Sequence, residues 1–278
     1  AREFTWPTGP VFGTDWIVMG DAGGQAPPLT SFAHVAKAVR DFILSAWEGP
    51  IPEMVSGHAP DGSPSRAPHL AIVPLADVGA AHSDGRLMGF SLALPRQAGG
   101  MAEKQAGHAV RARLDCLAVG VSGQPLMLTS GSLGVWCVER KGPPYGFACD
   151  PSRYAGPART WATVTPIMLD RFPKAKLSAE AIVADASRRI GLPRPCRVRL
   201  SVSAQLAGVP PSDRLGERRA GVGWLLPQRR DNSRHPLEGR LSTHAIIEYR
   251  EPISGPVILG AARFLGLGLC LPVDEGSR

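Results

Sequence analysis

One succession of apolar runs, strand, helix, two strands, helix, strand, is legible twice along the 278 residues, and this duplication constrains the fold more than any other feature. In the first half TDWIVMGD predicts a strand, closed by a turn rich in glycine and proline. A helix is expected to open at Thr30 or Ser31, because Phe32, Val35, Ala36, Val39, Phe42, Ile43 and Ala46 step by three and four along one face. A loop from Gly49 to Pro68 leads to two strand-like runs, HLAIVPL and RLMGFSLALP. A second helix is expected from Met101 to Ala118, and GSLGVWCVER supplies a fourth strand. The order is βαββαβ.

The second half follows the best boundary in the chain, GPPYGFACDPSRYAGPA. TWATVTPIML predicts a strand, and Ser178 caps a helix that buries Ile182, Val183, Ala186 and Ile190 and stops at Gly191. CRVRLSVSAQ alternates like a half-buried strand. An insertion from Leu206 to Ser242 has little periodicity and reads as a long loop, with room for an RNA-facing hairpin. THAIIEYRE resumes as a strand, GPVILGAARF allows a short helix at most, and LGLGLCLPV closes the unit. The expected class is therefore α+β, with tandem ferredoxin-like, RRM-like domains over 1–155 and 156–278 and antiparallel sheets.

Charge is unevenly placed. The net +7 is concentrated between Ala186 and Arg250, which hold thirteen arginines, no lysine and five carboxylates. Arginine-only enrichment suits bidentate phosphate contacts and stacking on bases, although a solvated loop of an arginine-rich proteome reads the same way. Only 6% of residues are aromatic, so stacking of bases on sheet aromatics is not the expected mode of binding. Five scattered cysteines without a C-x-x-C pair argue for a reducing, cytoplasmic setting and against structural zinc or a disulfide framework. No run approaches the roughly 20 apolar residues of a membrane span. The chain opens at Ala1 as if mid-protein, which suggests a piece of something longer.

Two segments carry candidate chemistry. GPVILGAARFLGLGLCLP places Gly260, Gly266 and Gly268 around one cation, Arg263, and such a loop either cradles phosphates with its N–H groups or lets the last strand pack tightly. The loop SGHAPDGSPSRAPHLAIVPLADVGAAHSDGRLMG holds His58, His69 and His82 with Asp61 and Asp84. Its wide histidine spacings fit no compact metal motif, and the aspartates precede glycines as turn formers do. An imidazole beside an arginine-rich surface suits proton abstraction from a ribose 2′-OH. No nucleophile elbow or dinucleotide fingerprint is present.

At these segments the chain resembles a known family. G-H-x-x-D-G-x-P from Gly57, then PHLAIVPL, SDGRLMGFSLALPR, WATVTPIMLDRFPK and GPVILGAARFLGLGLCLP, are similar to the fused Cas-five/Cas-six subunit of type I-G (formerly I-U) CRISPR systems, a repeat-processing endoribonuclease of the RAMP superfamily. The similarity runs from about Pro52 to Pro272 and corresponds to the C-terminal, Cas-six-like part. It implies cleavage of CRISPR repeat RNA without metal or other cofactor, through a 2′,3′-cyclic phosphate, and retention of the guide RNA beside the other effector subunits. The alternative it allows is a non-catalytic subunit that holds the guide. It points to His58 as general base, with His69 and His82 as second candidates and His34 as an outsider. His244 is expected to serve its own strand. Gly260, Arg263, Gly266 and Gly268 are carried over as RNA-backbone contacts, joined by Arg188, Arg189, Arg229 and Arg230 of the arginine-dense half.

Overall fold

The structure, a computed structural model, describes residues 9–96, 100–120, 123–129, 134–212, 224–227, 237 and 239–273. Two antiparallel sheets are built from successive parts of the chain. The first contains β1 (Ile17–Gly24), β2 (Ala71–Ala76), β3 (Leu87–Ala93), β4 (Leu126–Thr129) and β5 (Val135–Lys141), in the order β2-β3-β1-β5-β4. α1 (Phe32–Ser45) and α3 (Met101–Val119) are its two long helices, and α2 (Glu53–Ser56) is a single turn after α1. With β5 as the fourth strand this is a ferredoxin-like βαββαβ unit. β4 is an addition that pairs with β5 from Leu126↔Val138 to Thr129↔Val135 and widens the sheet by one edge strand.

α1 forms where its spacing places it and buries Phe32, Ala33, Val35, Ala36, Val39 and Ile43. Its start differs from the expectation. A 3-10 turn at Leu29–Ser31 precedes it, and the Ser31 side chain is buried and caps nothing. α3 is mostly exposed, and its buried residues Gly107, Val110, Leu114 and Ala118 form a narrow stripe at steps of three and four.

The second unit uses β6 (Ala158–Thr163), β7 (Ile167–Met168), α4 (Ala179–Arg189), β8 (Arg197–Ser201), β9 (Ser242–Ile253) and β10 (Cys270–Pro272). β10, β6 and β9 are neighbours, with β8 and the short β7 both paired to β9, the ferredoxin-like strand order again. Ser178 accepts a hydrogen bond from the Ala181 N–H at 3.2 Å, and Gly191 turns left-handed at φ 80°. Both ends of α4 are therefore fixed by the residues that the pattern named.

Where the second unit would carry its second helix, the chain makes only a 3-10 turn, Arg263–Leu265. This compact replacement lets the segment lie directly on α1 and β2 of the first unit, and one main core runs through both units, with Met168, Ala262 and Leu267 forming a small cluster beside it. Of the insertion, Trp224 and Leu225 are tied down: the indole N–H donates to Pro211 O at 3.1 Å and Leu225 N–H to Thr30 O at 2.9 Å. Arg229 and Arg230 lie outside the described residues. No helix among the described residues is long and apolar enough to cross a membrane.

Candidate functional site

The two chemistry-bearing segments meet at the seam between the units. After α2 the chain reverses at Gly57, left-handed at φ 68°, whose N–H returns to Glu53 O at 2.8 Å. His58 follows at once and is exposed. Its Nδ1 lies 3.0 Å from Ser56 O. A carbonyl only accepts, so Nδ1 carries a proton, and in the neutral ring Nε2 keeps its lone pair. Nothing among the described residues hydrogen-bonds that Nε2. Arg40 of α1 donates from Nη2 to the same Ser56 carbonyl, which draws a guanidinium beside the imidazole. Burial and nearby charge set the rest: desolvation lowers the Arg40 pKa, and Asp41 opposes it.

His69 closes the loop from the other side. Its ring stacks on Phe264 with centroids 3.5 Å apart, and Arg263 lies over the same phenyl ring at 4.4 Å. Burial, aided by the charges of Arg40, Arg263 and His58, pushes the His69 pKa down to about 4; a weak contact to Ala67 O opposes this. At neutral pH this imidazole is uncharged. Gly57 is required here for space as well as for its φ, since a Cβ would stand 2.8 Å from His69 Nε2.

Arg263 donates from Nη1 to Gly260 O at 3.1 Å, while its buried Nε has no partner among the described residues. Burial lowers its pKa, Asp170 counters, and Arg189 adds to the lowering. Asp170 itself pairs with Arg189 at 2.8 Å, and Arg240 donates to the carbonyls of Leu169 and Asp170. A row of cations thus runs from Arg40 through Arg263 to Arg189 and Arg240, with Asp41 beside Arg40 and Asp170 between Arg263 and Arg189. Arg188 is exposed at the end of α4.

The glycines of the C-terminal segment serve a different purpose from the phosphate cradle expected of them. All three of Gly260, Gly266 and Gly268 are buried with φ between 77° and 91°. An added Cβ would meet Met168 O at 2.4 Å, Phe32 Cε1 at 2.5 Å and Leu259 O at 1.9 Å respectively. Their close approach is to protein backbone and core, Gly266 packing on Phe32 and Ile72 of the first unit, while Arg263 is the cation that the segment brings to the seam. Gly266→Ala accordingly combines a left-handed backbone with overlap on Phe32 and Ile72 O. We expect it to cost about 3 kcal/mol or more, a fall in Tm of roughly 6–12 °C in a thermal melt. An unchanged Tm would show that the seam yields.

His82 stands apart. It is exposed in the turn after β2, at the opposite end of that strand from His69, about 20 Å along a six-residue strand. Asp61, before β2, and Asp84, after it, each accept the N–H two residues on, from Ser63 at 2.9 Å and Arg86 at 2.8 Å, as turn formers do. His34 is half-buried against the backbone of Leu226. His244 is buried, with Nε2 3.0 Å from Pro210 O and Nδ1 2.9 Å from the Thr163 hydroxyl, so it does serve its strand. Among the described residues no three His, Cys, Asp or Glu side chains converge as metal ligands would. Arg40 and Phe264 were not singled out in the sequence. Arg40 borders the apolar stripe of α1, and that position was its one available signal.

Residues 28–272 match the family model described as CRISPR-associated protein, GSU0054 family. The chain belongs to this CRISPR-associated family. The match opens just before α1 and ends at the last residue of β10, so it contains the histidine loop, the cation row and the seam that joins them. Comparison with curated proteins and with solved structures gives no match.

Proposed function

We propose that this member of the family is a repeat-RNA endoribonuclease, the Cas-six-like part of a fused Cas-five/Cas-six subunit, acting in the cytoplasm beside the other subunits of its effector complex. The observation that carries the reading is His58: an exposed imidazole with Nδ1–H held by Ser56 O and Nε2 open, set beside Arg40 at the end of a row of arginines. A phosphodiester drawn to those cations brings its ribose to the base.

His58 Nε2 takes the 2′-proton, the 2′-oxygen bonds to phosphorus, and the P–O5′ bond breaks with its electron pair on the leaving oxygen, which takes up one proton. The products are a 2′,3′-cyclic phosphate and a 5′-hydroxyl, with no oxidant or water consumed. Arg40 and Arg263 offset the charge that grows on the phosphoryl oxygens. Arg189, Arg188 and Arg240 extend the contact along the backbone on the α4 side.

The test is incubation of the protein with the repeat transcript of its own CRISPR array in EDTA. Cleavage at one position, with a cyclic phosphate that resists phosphatase until acid treatment opens it, is the expected result. Tight binding with an intact transcript would instead favour a guide-holding subunit. That second reading has one observation behind it: of the two seam histidines, only His58 is exposed.

A further inference from the structure

A base alone completes only half of the proton transfers, since the departing 5′-oxygen also needs a donor. We infer that His69 is that donor, and that an RNA phosphate seated between Arg40 and Arg263 is what gives it its proton. The inference rests on the endoribonuclease reading above.

The geometry brings two imidazoles to one bare glycine. His58 follows Gly57 in the chain, and His69 Nε2 lies against the Gly57 Cα because no Cβ intervenes. Phe264 holds the His69 ring from behind in a stack, and Arg263 sits over the phenyl ring. The charged groups acting on His69 come from each element packed around it: Arg40 from α1, Arg263 from the 3-10 turn and His58 from its own loop. All three repel a proton, and Asp170 acts one step away, through Arg263.

The carboxylates nearby are engaged elsewhere, Glu53 of α2 accepting from Ser65 Oγ and Asp41 acting on Arg40, and none acts on His69 itself. A phosphodiester supplies an anion that does, and an opposite charge within about 4–6 Å raises a pKa by roughly 1–3 units. From about 4 that lift brings His69 to roughly 5–7, so the bound phosphate makes the protonated ring accessible near neutral pH, which the free site does not. In the reaction its Nε2 proton passes to the 5′-oxygen as P–O5′ breaks, while His58 holds the proton from the 2′-OH. Exchange with solvent then resets both rings, and the proton count balances.

The decisive substrate is a repeat RNA whose 5′-oxygen at the cut site is replaced by sulfur, because a thiolate leaves without protonation. His69→Gln should cut ordinary RNA about 10²-fold or more slowly and cut the thio substrate within a few-fold of the parent rate. His58→Ala should be slow on both. Equal slowing of His69→Gln on the two substrates, or no slowing on either, would overturn the assignment.

The parent protein gives a second readout that needs neither a variant nor turnover. NMR titration of the His69 ring, free and bound to 2′-O-methyl repeat RNA, should move its pKa up by at least one unit. An unmoved titration overturns the inference by itself. If the parent cleaves no RNA, the reading of the site as an endoribonuclease fails, and this titration still decides whether phosphate charges His69.

Discussion

His58→Ala is expected to slow cleavage of repeat RNA by about 10²–10⁴-fold, the range by which a positioned general base accelerates proton transfer. Affinity for the uncut RNA should change little, because the ring's one hydrogen bond is to its own loop and the cations lie on other elements. Single-turnover rates separate the two quantities, and filter binding with 2′-O-methyl RNA supplies the affinity. His82→Ala is the matched control: also an exposed histidine, it lies at the far end of β2 and should cut at the parent rate. Cleavage by His58→Ala at the parent rate would remove the base from the mechanism.

Acidification should destabilise the fold steeply between pH 6.5 and 4. His69 and His244 are both pushed down to about 4 by burial, from the ordinary imidazole value of 6.5. Above pH 6.5 folded and unfolded chains both carry neutral rings and no penalty arises. Below it the unfolded chain takes up protons that the folded chain refuses, until about pH 4, so stability falls as pH falls. At 1.36 kcal/mol per pKa unit the loss is on the order of 3 kcal/mol for each ring. Urea unfolding at half-unit pH steps measures it. His69→Gln should flatten the slope by about half, whereas a curve flat from pH 7 to 5 would mean that neither ring is buried in solution.

The elements legible in the sequence were those whose signal is local. α1 shows itself by a three-four stripe, α4 by Ser178 and Gly191, and β8 by its alternation. The added strand β4 has four residues beside a glycine-rich stretch, too few for a period to register. The seam was invisible for a different reason. His69 and Phe264 are separated by nearly two hundred residues, and a ring stack between them leaves no trace in either segment.

Arginine density is legible only in part, because composition counts charges without their partners: in the fold Arg189 pairs with Asp170, Arg199 with Glu248 and Arg194 with Asp185, while Arg188 stays exposed. The C-terminal glycines offered two readings of equal standing in the sequence. Only their neighbours, Phe32, Met168 and Leu259, decide between them, because a missing Cβ serves an anion and a close-packed carbonyl equally well.

The 3-10 turn that stands where a helix was expected has a bearing on how this chain can be divided. A helix would have sealed the second sheet by itself and left a self-sufficient module. The shorter turn borrows its lid from the neighbour, pressing Gly266 onto Phe32 and the Ile72 carbonyl. Neither half owns a finished interior. The tandem units are thus duplicate in topology yet share one interior, and the seam that brings Arg40, His58, His69 and Arg263 together exists only where the two meet.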